Sequence, residues 1–256
     1  MKKLLLFLII FVSLQQFCHW QTGGFALHKM LTSPDPTATA TFPYETLTYL
    51  ATGKQFYVFE TTDHQYVVKF FKFSRRRPLP FSFLKKANAV RVHRLQILHK
   101  STSLALEHLS DSTGLIPTAP CSNTITLIDK LGIRHNISLA STRFVVQKKA
   151  TPFALYFEEH PSQAHQLIDS TLQTIISQCR KGIRNSDLML ERNFGFHKGR
   201  LLLLDIGSLS YDPRLKNPAL LKQEVFLELL PLRHFLEQKH PQHLAYFDEA
   251  LKKSSF

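Results

Sequence analysis

"RNSDLMLERNFGFHKGRLLLLDIGS", residues 184–208, combines an apolar hairpin pattern with several polar residues, and it decides the fold. Its four consecutive leucines at 201–204 predict a strand that is buried on both faces. The preceding "HKG" at 197–199 predicts the turn of a β-hairpin, with "NFGF" as its first strand. We therefore expect a tight hairpin whose second strand ends at an Asp-x-Gly triplet.

Three polar side chains around this hairpin are candidates for metal or nucleotide chemistry. If "HKG" makes the turn, Asn193 lies roughly opposite Leu203, and Asp205 lies one pleat further on the same face. Diagonal neighbours on one face are about 7–8 Å apart, so their side-chain oxygens could share one divalent cation. Asp187, a few residues upstream, could face the same space. The alternative is that all three are loop residues flanking a buried strand.

Composition indicates a globular chain with a basic surface. A chain of 256 residues with 44% hydrophobic content can bury one substantial core, or a small and a larger lobe, without disulfides. Lys and Arg number 32 against 19 Asp and Glu, a formal net charge of +13. Such a surface suits phosphorylated ligands, anionic lipid and nucleic acid equally. Cys18, Cys121 and Cys179 show no spacing typical of a disulfide framework or a zinc site.

The N-terminal segment resembles a targeting sequence. Lys2 and Lys3 precede "LLLFLIIFVSL", an uncharged run over residues 4–14. Because a membrane span takes roughly 20 apolar residues, an export signal or short anchor over residues 1–20 is favoured over a stable span. The alternatives are a mis-assigned start codon and a buried apolar strand. The two lysines favour a cytoplasmic N-terminus, so we expect an exported or membrane-associated protein that contacts the membrane through residues 4–14.

Two lobes are expected after this segment. Residues 21–43 include "LTSPDPTATATFP", which lacks apolar periodicity and is typical of a linker. The first lobe is predicted over residues 44–150. A change in the sequence pattern after Thr151 marks the second lobe, which is predicted over residues 151–256.

The first lobe carries an unusual lysine. "KQFYVFETTDHQYVVKFFKF" predicts a β-hairpin with its polar break at residues 61–65, and Lys69 interrupts the apolar second strand. One interpretation is a lysine on an edge strand or facing solvent. The other is a cation held inside a cleft, where it pairs with phosphates.

The segment after this hairpin predicts a helix with a strongly basic face. Between Lys72 and Ser110 the only acidic residue is Glu107, so a helical carboxylate that pairs with Lys69 has to be Glu107. The alternative for Glu107 is a solvated charge near a helix end. The basic residues also allow a membrane-surface or nucleic-acid-binding protein, although no nucleic-acid-reading motif accompanies them, which makes nucleic acid an unfavoured partner. They are Arg75, Arg76, Arg77, Lys85, Lys86, Arg91 and Arg94.

Further elements complete the predicted order. "TITLIDKL", "HNISLA" and "TRFVVQKK" predict three more strands. An apolar stripe at helical spacing over Ser162–Arg180 predicts an amphipathic helix that packs on the core. Two more helices are expected, over about Pro218–Gln238 and Pro241–Lys253.

This order of elements resembles the protein-kinase-like superfamily over residues 45–236. The shared features are a hairpin with a strand lysine, a helix containing one Glu, a long amphipathic helix, an Asp…Asn loop and a strand ending in Asp-x-Gly. The resemblance implies an α+β, two-lobed protein-kinase-like fold. It has a small antiparallel-sheet N-lobe and a minimal helical C-lobe, behind the N-terminal hydrophobic segment. "NFGF" and "LLLLDIG" also resemble uncharacterised membrane-associated proteins of the Chlamydiae.

The resemblance also implies roles for individual residues, with ATP and Mg²⁺ as cofactors. Lys69 would hold the nucleotide phosphates and pair with Glu107. Asp187 would orient the attacking hydroxyl as the catalytic residue. Asn193 and Asp205 would bind Mg²⁺.

Several departures from the superfamily pattern lower the expected activity. The glycine-rich loop is reduced to Gly53, the spacing from Asp187 to Asn193 is one residue longer than usual, and no Ala-Pro-Glu follows Gly207. The leader also directs the chain away from ATP. We therefore predict a non-catalytic or weakly active kinase-like domain that binds a nucleotide or a partner. The alternatives are an active Mg²⁺-dependent phosphotransferase that uses ATP and a basic membrane-surface or nucleic-acid-binding protein.

Overall fold

The computed structural model describes residues 2–73 and 83–254 of the chain, which contains both helices and strands. The α-helices are α1 (Lys2–Thr22), α2 (Phe83–His108), α3 (Ser110–Thr113), α4 (Phe153–Glu159), α5 (Ala164–Arg180), α6 (Leu190–Asn193), α7 (Pro218–Lys239) and α8 (Leu244–Lys253). The first strands are β1 (Thr46–Thr52), β2 (Phe56–Thr61), β3 (Tyr66–Phe71), β4 (Leu115–Ile116), β5 (Thr124–Ile128) and β6 (Arg134–Ser138). The later strands are β7 (Phe144–Lys148), β8 (Thr151–Pro152), β9 (Ile183–Asn185), β10 (Phe194–His197), β11 (Arg200–Leu203) and β12 (Leu209–Tyr211).

The chain is an α+β protein that divides into two compact units. The first unit comprises Met1–Arg91 and Pro117–Gln147, and the second comprises Val92–Ile116 and Lys148–Phe256. The first is built mainly on a sheet, and the second contains most of the described helices together with a three-stranded sheet, β11-β10-β8, and the antiparallel pair β12-β9.

The sheet of the first unit is larger than the predicted one, and it is mixed rather than purely antiparallel. Its order is β7-β3-β2-β1-β5-β6. β1 pairs antiparallel with β2 but parallel with β5, with Leu47 opposite Leu127. A parallel pair needs a long crossover connection, and the chain between β1 and β5 supplies one. Local alternation of apolar residues does not reveal such a pairing, which is why the prediction was wrong.

The predicted hairpin of the first unit is confirmed as β2 and β3. The Asp63 carboxylate organises its turn, since Oδ1 accepts hydrogen bonds from Thr61 Oγ1 at 2.6 Å and from the Gln65 backbone N–H at 3.1 Å. His64 adopts a positive φ of 59°. An Asp that binds nearby donors and a residue in the left-handed region are both typical of tight turns. The strands predicted from "TITLIDKL", "HNISLA" and "TRFVVQKK" are confirmed as β5, β6 and β7.

The segment between α1 and β1 contributes to the buried part of the first unit. Met30 and Phe42 are buried. The Phe42 N–H donates to Asn123 Oδ1 at 2.9 Å, and Asn123 Nδ2 donates back to the Phe42 carbonyl at 3.1 Å. Residues 21–43, predicted as a linker, therefore include side chains that pack against the sheet.

Helix α1 exposes most of its large apolar side chains. They are Phe7, Leu8, Ile9, Ile10, Phe11, Val12, Leu14, Phe17 and Trp20, with exposures from 47% to 67%. Among the described residues, no helix combines the length and the apolar character that crossing a membrane requires.

The second unit is organised around α5. The predicted amphipathic helix is confirmed, and its stripe is buried: Leu167, Ile168, Leu172, Ile175 and Ile176. The two predicted C-terminal helices are also confirmed, as α7 and as a short 3-10 turn at Pro241–His243 that leads into α8.

The predicted "NFGF…LLLL" hairpin is confirmed as β10 and β11, but its turn is shorter than expected. His197 pairs with Arg200, so only Lys198 and Gly199 form the turn, with φ of 51° and 75°. Two consecutive positive φ angles are the hallmark of the two-residue turns that match strand twist. The "HKG" interpretation was wrong because Lys198, unlike Gly199, gives no local signal for a positive φ.

Gly195 fixes how closely β10 approaches β8. A Cβ atom at this position would lie 2.5 Å from the Thr151 carbonyl oxygen. Only glycine allows the two backbones to come this close.

Candidate functional site

The shorter turn changes the expected geometry of Asn193 and Asp205. Phe194, not Asn193, pairs with Leu203, and Asn193 is the last residue of α6 rather than a strand residue. The shared-face argument for these two residues was therefore wrong. The backbone nevertheless brings them together, because the Asn193 carbonyl accepts hydrogen bonds from the N–H groups of Leu204 at 2.6 Å and Asp205 at 3.3 Å.

The Asn193 side chain connects this corner to the preceding loop. It is only 6% exposed, and its Nδ2 donates to the Asp187 carbonyl at 3.1 Å. The second unit thus brings Asp187 and Asp205 into contact with Asn193 through backbone groups, and the roles predicted for the three side chains stay predictions. Asn193 contacts the backbone of Asp187 and not its carboxylate. Asp187 as a residue is half-buried.

Asp205 lies in a defined Asp-x-Gly turn. Its Oδ1 accepts a hydrogen bond from the Gly207 N–H at 3.0 Å. Ile206 is fully buried, and its carbonyl accepts a hydrogen bond from Ser101 Oγ, which in turn accepts from the Leu209 N–H at 2.8 Å. Ser101 on α2 therefore holds both ends of the segment that follows Asp205.

A second set of contacts holds the loop that carries Asp187. Asn185 Oδ1 accepts from the Asp187 N–H at 3.1 Å and from Ser208 Oγ at 2.7 Å. The Asn185 N–H donates to Glu228 Oε1 at 2.8 Å, and Gln178 Nε2 donates to Glu228 Oε2 at 2.8 Å. A carboxyl group on α7 therefore fixes Asn185, and Asn185 fixes the backbone of Asp187.

The environment of Glu228 favours its neutral form. Burial raises the pKa of Glu228 to about 8, and the nearby Glu224 carboxylate adds to the rise, while the Asn185 N–H opposes it. Glu224 is itself buried, and Arg184 Nε lies 2.8 Å from its Oε1. Burial also raises the pKa of the Cys179 thiol. Glu228 is thus a largely uncharged hydrogen-bonding group near neutral pH.

Sequence reasoning missed Glu224 and Glu228. A signal was present, because two glutamates four residues apart share the face of α7 that buries Val225, Leu229 and Leu232. Acidic residues on an apolar helical face are almost never fully buried unless they have partners. Those partners lie far away in the chain, and local periodicity does not identify them.

The chemistry of the Asp187–Asn193–Asp205 corner fits a hard cation. Carboxylate and amide oxygens are the ligands that Mg²⁺ takes from proteins, usually with several waters and substrate phosphates completing its shell. Within the described residues, neither aspartate carboxylate forms an ion pair. No group of three or more His, Cys, Asp or Glu side chains in the described part of the chain could hold a metal. Any cation here would be held by few protein ligands.

In the first unit, Lys69 is a buried residue of an interior strand. It lies opposite Val58, is 8% exposed and is flanked by the buried Val68 and Phe70. β3 lies between β2 and β7 in the sheet order. This excludes the alternative of an edge-strand or solvent-facing lysine, and its contact with phosphates stays a prediction.

The predicted Lys69–Glu107 pair is not tested by this structure. Glu107 lies in the last turn of α2, its side chain is 67% exposed, and its Oε2 is 3.8 Å from His108 Nε2. The two residues belong to different compact units.

Gly53 offers little backbone for cradling phosphates. Its N–H donates to the Phe56 carbonyl at 3.0 Å and so closes the β1–β2 turn. The predicted weakness of a phosphate-binding loop agrees with this occupied donor.

The hypothesis of a membrane-surface or nucleic-acid-binding protein depends on basic residues that mostly lie outside the described part of the chain. Arg75, Arg76 and Arg77 lie outside the described residues, as do the side chains of Lys85, Lys86 and Arg91. Arg94 is an exposed residue of α2.

The fold and the site define an α+β protein with a loop-and-hairpin corner of two aspartates and one asparagine. No protein-family model matches the chain, and no curated protein matches it. The resemblance to membrane-associated proteins of the Chlamydiae is therefore not shown.

Solved structures of WbdD are similar to this chain at a low level. A high-resolution crystal structure of WbdD has 15% identity and a TM-score of 0.41, over 79% of this chain and 44% of that one. WbdD with the kinase inhibitor LY294002 has 16% identity and a TM-score of 0.38, over 81% and 46%. A structure of the bifunctional kinase-methyltransferase WbdD has 16% identity and a TM-score of 0.37, over 78% and 43%. The chain spans less than half the length of these proteins, and a likeness this weak establishes neither fold nor function.

Proposed function

We propose that this chain is a divergent kinase-like domain that binds a nucleotide together with Mg²⁺ and transfers phosphate weakly or not at all. The observation that carries the proposal is the position of Asn193. Its side chain bonds to the Asp187 backbone, and its carbonyl accepts from the Asp205 N–H. These contacts bring Asp187 and Asp205 next to Asn193, and the three side chains carry carboxylate and amide oxygens, the ligands that Mg²⁺ prefers.

Support from the first unit comes from Lys69. A lysine that is 8% exposed within an apolar strand occupies the kind of position from which a cation contacts phosphates in kinase-like proteins. The pairing with Glu107 is part of the same proposal.

We expect low activity because the β1–β2 turn offers few backbone N–H groups for phosphates and the loop from Asp187 to Asn193 has an unusual length. Positioning and charge stabilisation are nearly everything that a phosphotransferase contributes. The Gly53 N–H is already bonded to Phe56, and the loop from Asp187 to Asn193 contains one residue more than the superfamily pattern. Weak cradling and a displaced hydroxyl-orienting carboxylate both lower transfer more than they lower binding.

A thermal-shift titration of the full chain with ATP, with and without Mg²⁺, tests the binding proposal. We expect a Mg²⁺-dependent rise in Tm that Asp205→Ala and Asn193→Ala abolish while the far-UV circular dichroism is kept. Asp111→Ala, at an exposed position of α3 in the same unit, is the matched control and should retain the shift. Unchanged Mg²⁺-ATP affinity in Asp205→Ala would remove the metal assignment.

Incubation with labelled ATP, Mg²⁺ or Mn²⁺ and generic protein and small-molecule acceptors tests catalysis separately. We expect little or no transfer above the background of the double variant Lys69→Ala/Asp205→Ala. Robust transfer that is lost in each single variant would identify an active phosphotransferase instead.

We further propose that α1 directs export or membrane association. Its exposed apolar side chains, including Phe7 at 66% and Phe11 at 49%, support this. Cell fractionation of the full chain should place it with membranes or outside the cytoplasm, and Phe7→Asp/Phe11→Asp should shift it to the soluble cytoplasmic fraction. An unchanged distribution would contradict the proposal.

A further inference from the structure

A half-buried lysine at the end of β3 has only neutral partners among the residues that the structure describes. Lys72 Nζ donates to Thr52 Oγ1 at 2.6 Å and to the Gly53 carbonyl at 2.5 Å. It also lies 4.0 Å from the centroid of the Tyr57 ring. A hydroxyl, a carbonyl and an aromatic face stabilise an ammonium group, but none of them cancels its charge.

A second ammonium group lies close to the first. The Phe73 N–H donates to the Lys29 carbonyl, which brings the 3-10 turn Leu27–Lys29 next to the end of β3. Burial, and to a smaller extent repulsion from the Lys29 charge, lower the pKa of Lys72 to about 8. Among the described residues, neither lysine forms an ion pair with a carboxylate. Within the part of the chain that the structure describes, no ion pair balances this local positive charge.

The surroundings leave room for a ligand. Lys29 is exposed, and a Cβ atom built on Gly53 would meet no atom of the described residues within 4 Å. Lys54, in the same β1–β2 turn, is also exposed. An anion that approaches this turn would meet Lys72, whose Nζ bonds to the Gly53 carbonyl, and the exposed Lys29 is held next to the end of β3 by its backbone contact with Phe73.

We propose that Lys29 and Lys72 form a binding site for a phosphate group beside the β1–β2 turn. A phosphate group carries up to two negative charges near neutral pH, and its several acceptor oxygens can bridge two ammonium groups. Lysine binds phosphate as a point charge and needs no planar fork geometry, which suits two lysines from different segments. The site uses Lys29 and Lys72, whereas the proposed nucleotide site uses Lys69, Asp187, Asn193 and Asp205, so variants of one set leave the residues of the other in place.

Two sources can supply this phosphate group. One is a soluble phosphate compound. The other is the headgroup of an anionic phospholipid, because α1 with its exposed apolar residues belongs to the same unit, and Tyr57 Oη donates to the Gly24 carbonyl at 3.0 Å just beyond α1.

Two binding measurements on the full chain at constant ionic strength separate the sources. Isothermal titration with inorganic phosphate and pyrophosphate reports the soluble source. Flotation with phosphatidylcholine vesicles, with or without phosphatidic acid, reports the lipid source. In whichever assay shows binding, Lys72→Met should weaken it by about tenfold or more, and Lys29→Met by a smaller factor.

The chain contains a matched control lysine. Lys130 Nζ donates to the Trp20 carbonyl at 2.8 Å and lies 5.5 Å from the Trp20 ring centroid, so it shares the neutral carbonyl and aromatic partners. Lys130→Met should bind phosphate as the wild type does. If Lys72→Met fails to fold, Lys29→Met decides the question, since Lys29 is exposed.

The outcomes are distinct. Binding of soluble phosphate that depends on Lys72 and Lys29 supports the site with a soluble ligand, and dependence seen only with phosphatidic acid supports it with a lipid headgroup. Absence of binding in both assays, or equal affinity in wild type, Lys29→Met and Lys72→Met, overturns the proposal.

Discussion

Burial shifts the pKa of Glu228 in the second unit and the pKa of Lys72 in the first unit in opposite directions, and both end at about 8. Burial raises the pKa of Glu228 from 4.5 to about 8, and burial lowers the pKa of Lys72 from 10.5 to about 8. In both cases loss of hydration disfavours the charged form. At neutral pH, however, the acid is mostly neutral and the base is mostly charged.

Their partners differ as well. Glu228 accepts hydrogen bonds from Asn185 and Gln178, two groups that fix a loop. Lys72 donates to Thr52 and Gly53 and keeps its charge beside Lys29. Burial shifts the pKa of both groups, but their partners give them different roles. Glu228 positions the backbone of Asn185, and Lys72 carries a positive charge that a ligand can neutralise.

The largest expected effect comes from removing the buried acid. Glu228→Ala leaves the Asn185 N–H and Gln178 Nε2 without acceptors and creates a cavity on α7. We expect the free energy of unfolding in urea to fall by about 3–5 kcal/mol. Glu237→Ala, at a more exposed position of the same helix, is the control and should change it little. A small loss in Glu228→Ala would mean that Glu228 does not hold this loop.

How far the sequence predicts these features depends on the range of the interactions. Local sequence patterns predicted α5, the β2–β3 hairpin and the later strands, because each pattern is contained within a short segment. The position of Asp205 at the end of a leucine-rich strand also indicated the candidate corner. All of these follow from neighbours within a few residues.

The remaining features depend on distant partners or on backbone angles. The parallel pairing of β1 with β5 needs a long crossover, and the positive φ of Lys198 has no signal in its side chain. Glu228 meets Asn185 across 43 residues of chain. The sequence also does not distinguish Lys72 from Lys69, because nothing in "VVKFFK" indicates which of the two lysines faces Thr52 and Gly53.

The pH dependence of stability tests the protonation of Glu228. Its pKa is higher in the folded protein, so its stabilisation is complete below about 4.5 and is lost as pH rises towards about 8. The free energy of unfolding of the wild type should therefore fall relative to Glu228→Gln by up to about 1 kcal/mol per pH unit in this window. Urea titrations at pH 5, 6, 7 and 8 measure the difference. Parallel profiles would show that Glu228 does not change its charge there.

A smaller effect is expected when Asn185, the residue that Glu228 holds, is changed. Asn185→Ala removes the acceptor of the Asp187 N–H and of Ser208 Oγ but keeps the backbone bond to Glu228. We expect a loss of about 1–2 kcal/mol in the free energy of unfolding. Hydrogen exchange should also show faster exchange of the Asp187 amide, with Lys130→Met as an unaffected control. Unchanged protection of that amide would separate Asn185 from the positioning of Asp187.

The smallest effect, and the one that completes the comparison, is expected at Lys72. Its pKa is lower in the folded protein, so the charged lysine costs stability below about pH 8, and this cost disappears as pH rises towards 10.5. Lys72→Met removes the cost but also two hydrogen bonds to neutral acceptors and the contact with Tyr57. Because Lys72 is only half-buried, solvent screening reduces the cost, and we expect a net gain of less than about 1 kcal/mol at pH 7. Urea titrations at pH 7 and pH 10 should show that this gain shrinks or reverses at the higher pH, whereas Lys130→Met should show no such change. A difference between Lys72→Met and wild type that is equal at both pH values would mean that the Lys72 charge is already compensated, and a phosphate group would then have no reason to bind there.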